Sequence, residues 1–236
     1  NAAKEGIPVV AVAATFQKHP QVIIAHPGQA DTFADLTKLT LLIGDNGFAS
    51  YYQWMMAAYG FTAEQREPYT FNPAPFLADE GKAMQGYLSS EPFAMEKAGV
   101  NPSVFLLADY GYPAYATTIE TTDKMIDEDP DLVRRFVQAS MEGWTSYLQN
   151  PAPGNALIQE ANPEMTDEQI AYGIEKMKAY GLVTGGDAAA GGIGVMTDAR
   201  WEKIHDFMLT AGLVDEDLDI HDVYSLDYLP KEPVLP

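Results

Sequence analysis

The chain has 236 residues, 47% of them hydrophobic, so it can bury a core of ordinary size as one large domain or two smaller lobes. Its 34 Asp and Glu outnumber 14 Lys and Arg, and the formal charge of −20 argues against nucleic acid and anionic membrane surfaces, which are bound through clustered cations. The absence of cysteine excludes disulfides, thiolate nucleophiles, Cys-ligated zinc and iron–sulfur clusters.

The first half of the chain alternates short apolar runs with turns and a helix, which is typical of an α/β fold with a mainly parallel sheet. Residues 7–15 form a continuous β-branched and alanine run, which predicts a buried strand of a parallel sheet. Residues 48–59 have the length of a three-turn helix that ends at Gly60. The other predicted strands are 22–25, 39–43, 87–88, 104–108 and 115–119.

The second half is dominated by amphipathic helices with clear start signals. Asp129 before Pro130, the capping box of Thr166, and Thr197 each predict a helix start. Such helices need an apolar surface to bury, so we expect them to cover a sheet. The residues predicted to share the buried face of each helix are Val133, Phe136, Val137, Ser140, Trp144 and Tyr147, then Ile170, Ile174 and Met177, then Trp201, Ile204 and Met208.

The most informative local feature is the Gly-rich loop of residues 44–50, which joins a predicted strand to a predicted helix. Such a turn points free backbone N–H groups at the space above the sheet, where polar or anionic ligand groups can dock. Its spacing matches neither a Walker A loop nor a dinucleotide fingerprint. We predict ligand contacts from Asn46, Gly47, Ser50 and Tyr51; the alternative is an ordinary tight connection.

Glu91 follows a predicted strand, at the end where open α/β sheets place their ligand sites. A carboxylate there accepts hydrogen bonds from an amine or amidine. The alternative is a helix cap, since a Ser-x-Glu-Pro pattern also starts helices well.

Residues 110–115 place three tyrosines around a Gly and a Pro. Tyrosines in such a loop make rigid walls for flat ligands, and we predict Tyr112 and Tyr115 as contacts. The alternative is that they pack between lobes.

No pattern in the sequence indicates catalysis or a metal. The four histidines lack ligand spacing, and no G-x-S-x-G elbow is present. No apolar run reaches the roughly 18 residues of a spanning helix, so we expect no direct membrane insertion.

The stretch 106–151 is similar to the crossover segment and following helix of the thiamine-pyrimidine and sulfonate solute-binding proteins of ABC importers. Their pattern D/N-P-x-x-V-x-x-F is matched here by Asp129, Pro130, Val133 and Phe136, and the resemblance extends over residues 1–228. The enzyme branch of that superfamily, the thiamine-pyrimidine synthases, carries a Cys-rich stretch where this chain has residues 111–116. Without those thiols its iron chemistry has no ligands here, so the resemblance implies a binding protein with no cofactor.

The resemblance implies a two-lobe, periplasmic-binding-protein-like α/β fold of mostly parallel sheets flanked by helices. One lobe comprises residues 1–26 and 116–236, and the other 27–115. Family members have two further βα units before the position of Asn1, so the first lobe is expected to be incomplete, with an open sheet edge or one completed by another chain.

The implied function is an extracytoplasmic, periplasmic receptor that captures a small polar heterocycle, first a thiamine pyrimidine precursor, by hinge closure and delivers it to an ABC permease. Other flat heterocycles or a sulfonate stay open as ligands. The alternatives are a pyrimidine-synthesising enzyme and a ligand-sensing domain of a signalling protein.

Overall fold

The computed structural model describes residues 6–235, and the chain divides into two compact units. Unit 1 comprises residues 1–19 and 113–236, and unit 2 comprises residues 20–112. The predicted lobe boundaries are 26/27 and 115/116, whereas the units of the structure change at 19/20 and 112/113. The strand of residues 21–25 therefore lies in the sheet of unit 2. The two ends of the predicted first lobe, residues 1–5 and residue 236, lie outside the described residues.

Unit 2 is built on a five-stranded mixed sheet with strand order β4-β3-β5-β2-β6. β3 pairs in parallel with β4 and with β5, whereas β2 runs antiparallel to β5 and to β6. Four of the five strands therefore point the same way. The strands are β2 (Gln21–Ala25), β3 (Thr40–Ile43), β4 (Arg66–Pro68), β5 (Lys82–Tyr87) and β6 (Ser103–Leu106).

Short helices follow the strands of unit 2. Gly60 ends α2 in the left-handed conformation, as its sequence position predicts, because glycine adopts a positive φ without steric cost. The predicted helix 48–59 is interrupted near Ser50, which separates a one-turn helix from a longer one. The helices are α1 (Asp45–Phe48), α2 (Tyr51–Tyr59), α3 (Ala74–Leu77) and α4 (Glu91–Lys97).

Unit 1 contains the antiparallel pair β1 (Val9–Phe16) and β7 (Ala116–Thr122). Val10 of β1 belongs to one apolar cluster and the adjacent Ala11 to another, so β1 is covered on both sides. The parallel pairing predicted for this strand is wrong, because a continuous apolar run reports burial on both faces and does not fix the direction of the partner.

Helices provide most of unit 1. Asp129 accepts from the backbone N–H of Leu132 at 2.9 Å and Thr166 accepts from Gln169 at 3.2 Å, which confirms both predicted caps. Thr197 precedes a helix, but its side chain makes no cap bond. The helices are α5 (Asp123–Glu128), α6 (Pro130–Gln149), α7 (Ala152–Ala161), α8 (Asp167–Ala179), α9 (Ala188–Gly191) and α10 (Asp198–Thr210).

The packing of α6 corrects one predicted face. Val133 and Val137 are buried as expected, together with Met141. Phe136, which was predicted to share their face, is 59% exposed. Of its neighbours at spacings of three and four residues, Val133 is buried, but Leu132 and Ala139 are exposed. Phe136 therefore lies on the margin of the buried stripe, outside the cluster formed by Val133, Val137 and Met141.

The α/β fold class is confirmed by the mixed sheet of unit 2, the antiparallel pair of unit 1 and the helices that flank them. Within residues 6–235, no helix combines the length and apolar character needed to cross a bilayer.

Candidate ligand-binding site

In unit 2 the predicted residues gather at one end of the sheet, which we call the carboxyl edge: the end at which β3, β4, β5 and β6 terminate. Gly44 follows β3, Tyr69 follows β4, and Glu91 begins α4 four residues beyond β5. Parallel strands bring their carboxyl ends together, and loops leaving that edge are the usual ligand positions in open α/β sheets. The strand directions thus explain why residues far apart in sequence meet here.

Gln85, near the end of β5, holds the carboxyl edge together. Its Oε1 accepts the backbone N–H of Gly44 at 2.7 Å and the hydroxyl of Tyr51 at 2.8 Å. One amide oxygen therefore links β5 to the Gly-rich loop and to α2. Sequence reasoning missed Gln85, because a polar residue in a strand has the same pattern as an ordinary solvent-facing position.

Gly47 is required by close packing against Tyr51. A Cβ atom at position 47 would lie 2.4 Å from the Tyr51 hydroxyl oxygen. Ser50 donates its hydroxyl to the carbonyl of Asn46 at 2.6 Å, which closes the loop locally, and Asn46 is exposed. Gly47 thus shapes the loop, while Asn46 faces solvent.

Tyr51 and Tyr112 are both buried close to one another at this edge, with exposed fractions of 4% and 7%. Burial raises the pKa of Tyr51 well above its usual value, and the nearby Tyr112 and Tyr87 hydroxyls raise it further. Burial, followed by Tyr87, likewise raises the pKa of Tyr112. Both phenols therefore stay neutral and can donate or accept a hydrogen bond across the physiological range.

Glu91 has a local structural role as well as a position at the edge. Its Oε2 accepts the backbone N–H of Tyr87 at 2.7 Å, which fixes the turn between β5 and α4. Its methylene groups lie against Gly86, where an added Cβ would come within 2.7 Å of the Glu91 Cβ. The carboxylate raises the pKa of Tyr69, after the larger effect of burial, so the two side chains are neighbours.

Tyr115 lies in unit 1, in a closed network. Its hydroxyl accepts the N–H of Thr197 at 3.1 Å and donates to Asp187 at 3.2 Å. The Arg200 guanidinium lies 4.2 Å from its ring centroid, and Trp201 lies 5.8 Å away. The phenol has its polar partners inside unit 1, and burial raises its pKa.

Arg200 also binds the backbone on both sides of unit 2 in sequence. Its Nε donates to the carbonyl of Pro113 at 2.9 Å, and its Nη2 donates to the carbonyl of Gln17. Gln17 and Pro113 lie near the two points where the chain leaves unit 1 and returns to it. Sequence reasoning did not single out Arg200, because nothing in its helix marks the distant carbonyls that it reaches.

The part of the chain that the structure describes contains no group of three or more His, Cys, Asp or Glu side chains arranged to hold a metal ion.

Comparison with known proteins gives three kinds of match. The family model described as NMT1/THI5 like matches residues 1–153. The riboflavin-binding protein RibY of Chloroflexus aurantiacus is 26% identical over 237 aligned residues, which cover 97% of this chain and 67% of that protein.

Two solved structures share the fold. One is the periplasmic sulfonate-binding protein SsuA from Methylobacillus flagellatus KT, with a TM-score of 0.61, 11% identity, and coverage of 95% of this chain and 68% of that one. The other is a protein from Bordetella bronchiseptica RB50, with a TM-score of 0.60, 14% identity, and coverage of 96% and 74%. At these identities the likeness concerns the fold, which is that of periplasmic binding proteins. The chain belongs to the NMT1/THI5-like family.

Proposed function

We propose that the chain is a solute-binding receptor of an ABC importer, which captures a small planar polar molecule at the carboxyl edge of unit 2 without transforming it. The observation that carries the proposal is the meeting of the Gly-rich loop, Gln85, Glu91 and Tyr112 at that edge. Membership of the NMT1/THI5-like family and the fold shared with a sulfonate-binding protein support it. We further propose a periplasmic location, closure about a hinge, and an ABC permease as partner.

The proposed contacts have distinct roles. Glu91 uses Oε2 for the Tyr87 backbone, and Oε1 is left to accept from a ligand amino group. The loop from Asn46 to Ser50, with Gly47 and Tyr51, takes a polar or anionic end of the ligand. Tyr112 supplies an apolar wall. Tyr115, in unit 1, also stays a proposed ligand contact.

The ligand class is a flat heterocycle with hydrogen-bonding edges. A thiamine-precursor pyrimidine, which has an exocyclic amino group, suits the carboxylate of Glu91. Riboflavin is the second choice, because the relative with 26% identity is named as a riboflavin-binding protein. Both ligands bury flat apolar faces while keeping a few directed polar contacts, which is the usual composition of a small-molecule site.

The test titrates the full chain with 4-amino-5-hydroxymethyl-2-methylpyrimidine and with riboflavin. Calorimetry measures binding of the pyrimidine, and flavin fluorescence measures binding of riboflavin. Glu91→Gln is expected to weaken binding of the pyrimidine roughly tenfold, since it replaces a charged acceptor. Glu96→Gln, an exposed change in the same short helix, is the matched control and should bind as wild type. Conversion of either molecule to a product would contradict a purely receptive role.

A further inference from the structure

Phe71 combines two unusual properties. It is the most exposed of the large apolar side chains in the described part of the chain, at 75%. Its φ of +61° lies in the left-handed region, which bulky residues rarely adopt. Both properties work against stability, because the ring forgoes burial and the backbone is strained.

A loose loop does not account for this exposure, since the chain is fixed on both sides of Phe71. Before it, Tyr69 is buried and donates its backbone N–H to Ile43 at 3.2 Å. After it, the side chain of Asn72 accepts the N–H of Ala74 at 3.0 Å. Phe76, five residues on, is fully buried, and its ring is stacked on His26 at 4.1 Å. The fold therefore presents the Phe71 ring to solvent from an anchored loop.

The loop lies at the carboxyl edge. The ring centroids of Phe71 and Tyr69 are 5.5 Å apart. The carbonyl of Tyr69 in turn lies 3.5 Å from where a Cβ of Gly44 would stand, beside the hydrogen bond from Gly44 to Gln85. Phe71 therefore contacts Tyr69, and Tyr69 in turn lies beside Gly44 of the proposed site.

We propose that Phe71 is a ligand contact whose ring covers one flat face of a planar heteroaromatic molecule held at the carboxyl edge, which makes such molecules the substrate class in preference to aliphatic sulfonates. The inference rests on the proposed function and adds to it a contact residue, and with that residue a physical reason for preferring flat ligands. A ring face offers a flat heterocycle a stacked contact over its whole area, whereas an aliphatic sulfonate has no face to stack. Binding would bury the exposed ring, and this gain offsets the strain of holding it there.

The main experiment measures riboflavin binding to the full chain by fluorescence quenching, and ethanesulfonate binding by calorimetry. Phe71→Ala keeps the strained backbone and removes only the ring, so it should weaken riboflavin binding about tenfold to a hundredfold. Phe71→Tyr should restore affinity to within a fewfold of wild type, because it restores the ring. Phe136→Ala, which removes a similarly exposed ring from unit 1, should change nothing.

Each outcome has one meaning. If wild type binds riboflavin and Phe71→Ala binds it equally well, the Phe71 contact is wrong while the receptor function stands. If wild type binds ethanesulfonate and not riboflavin or the pyrimidine, the planar selectivity is wrong and the receptor function again stands. If none of the three probes binds, both the inference and the ligand classes proposed above are wrong.

A second variant tests the claim without any ligand. Phe71→Asn places at this position a residue that tolerates a positive φ, so the unliganded melting temperature should be unchanged or higher by about 2 °C. A fall of several degrees would identify the ring as a structural element of the loop, and would overturn the proposal whatever the chain binds.

Discussion

The surroundings of Tyr115 in unit 1 and of Tyr51 in unit 2 differ in what they leave available. Tyr115 has both hydroxyl partners within unit 1, and a guanidinium lies over its ring. Tyr51 is equally buried, but Asn46 and Phe71, in loops at the same carboxyl edge, are exposed. An aromatic residue in a loop is therefore a weak predictor of ligand binding on its own. A better predictor is whether ring faces and polar atoms around it are still available to a ligand.

The largest expected effect comes from breaking the unit 1 network. Arg200→Ala removes the donors to Pro113 and Gln17 and the cation over Tyr115, and should lower the free energy of unfolding by about 3 kcal/mol. Urea denaturation measures it. Arg135→Ala, an exposed change, is the control and should stay within about 0.5 kcal/mol of wild type. Equal effects of the two variants would show that the network is not a stabilising element.

The next effect is pH-dependent and concerns His19, the last residue of unit 1 before unit 2. Burial lowers its pKa to about 4. Between pH 6.5 and 4, His19 is therefore protonated in the unfolded chain and neutral in the folded chain. Stability from this group is complete above pH 6.5 and falls on acidification, by about 2 kcal/mol at pH 5. His19→Gln should lack this component, so the stability difference between the two proteins should shrink as the pH falls from 7.5 to 5. A constant difference over that range would contradict the lowered pKa.

A smaller effect tests the unit 2 edge. Gly47→Ala would push a methyl group against the Tyr51 hydroxyl and disturb its bond to Gln85, at a cost of about 1.5 kcal/mol. Gly143→Ala is the matched control, because nothing lies within 4 Å of the added methyl group and the site is inside α6. That change should stabilise the protein by about 0.5 kcal/mol. Thermal or urea unfolding of both variants compares them, and a neutral Gly47→Ala would mean that the loop relaxes freely.

The features that the sequence predicts best depend on local chemistry. The end of α2 at Gly60 and the caps at Asp129 and Thr166 each involve contacts within a few residues, and the structure has all three. The strand β4 (Arg66–Pro68) escapes prediction because it is an edge strand with polar side chains and a terminal proline, so it lacks an apolar run.

The less predictable features depend on distant parts of the chain. The antiparallel partner of β1 begins about one hundred residues later, and no pattern within β1 encodes its direction. Gln85 and Arg200 are ordinary polar residues until the fold brings Gly44 and Pro113 to them. The Gly44 loop was predicted as a site because its own residues carry the signal, whereas the side chain that anchors it gives none.

Because the Gln85 side-chain oxygen accepts two hydrogen bonds, the orientation of its amide group is fixed. Rotation of the group by half a turn would set its NH₂ against the N–H of Gly44, so donor would oppose donor. The two hydrogen bonds to the oxygen therefore also fix the position of the nitrogen, so Gln85 has one set orientation of donor and acceptor before any ligand binds.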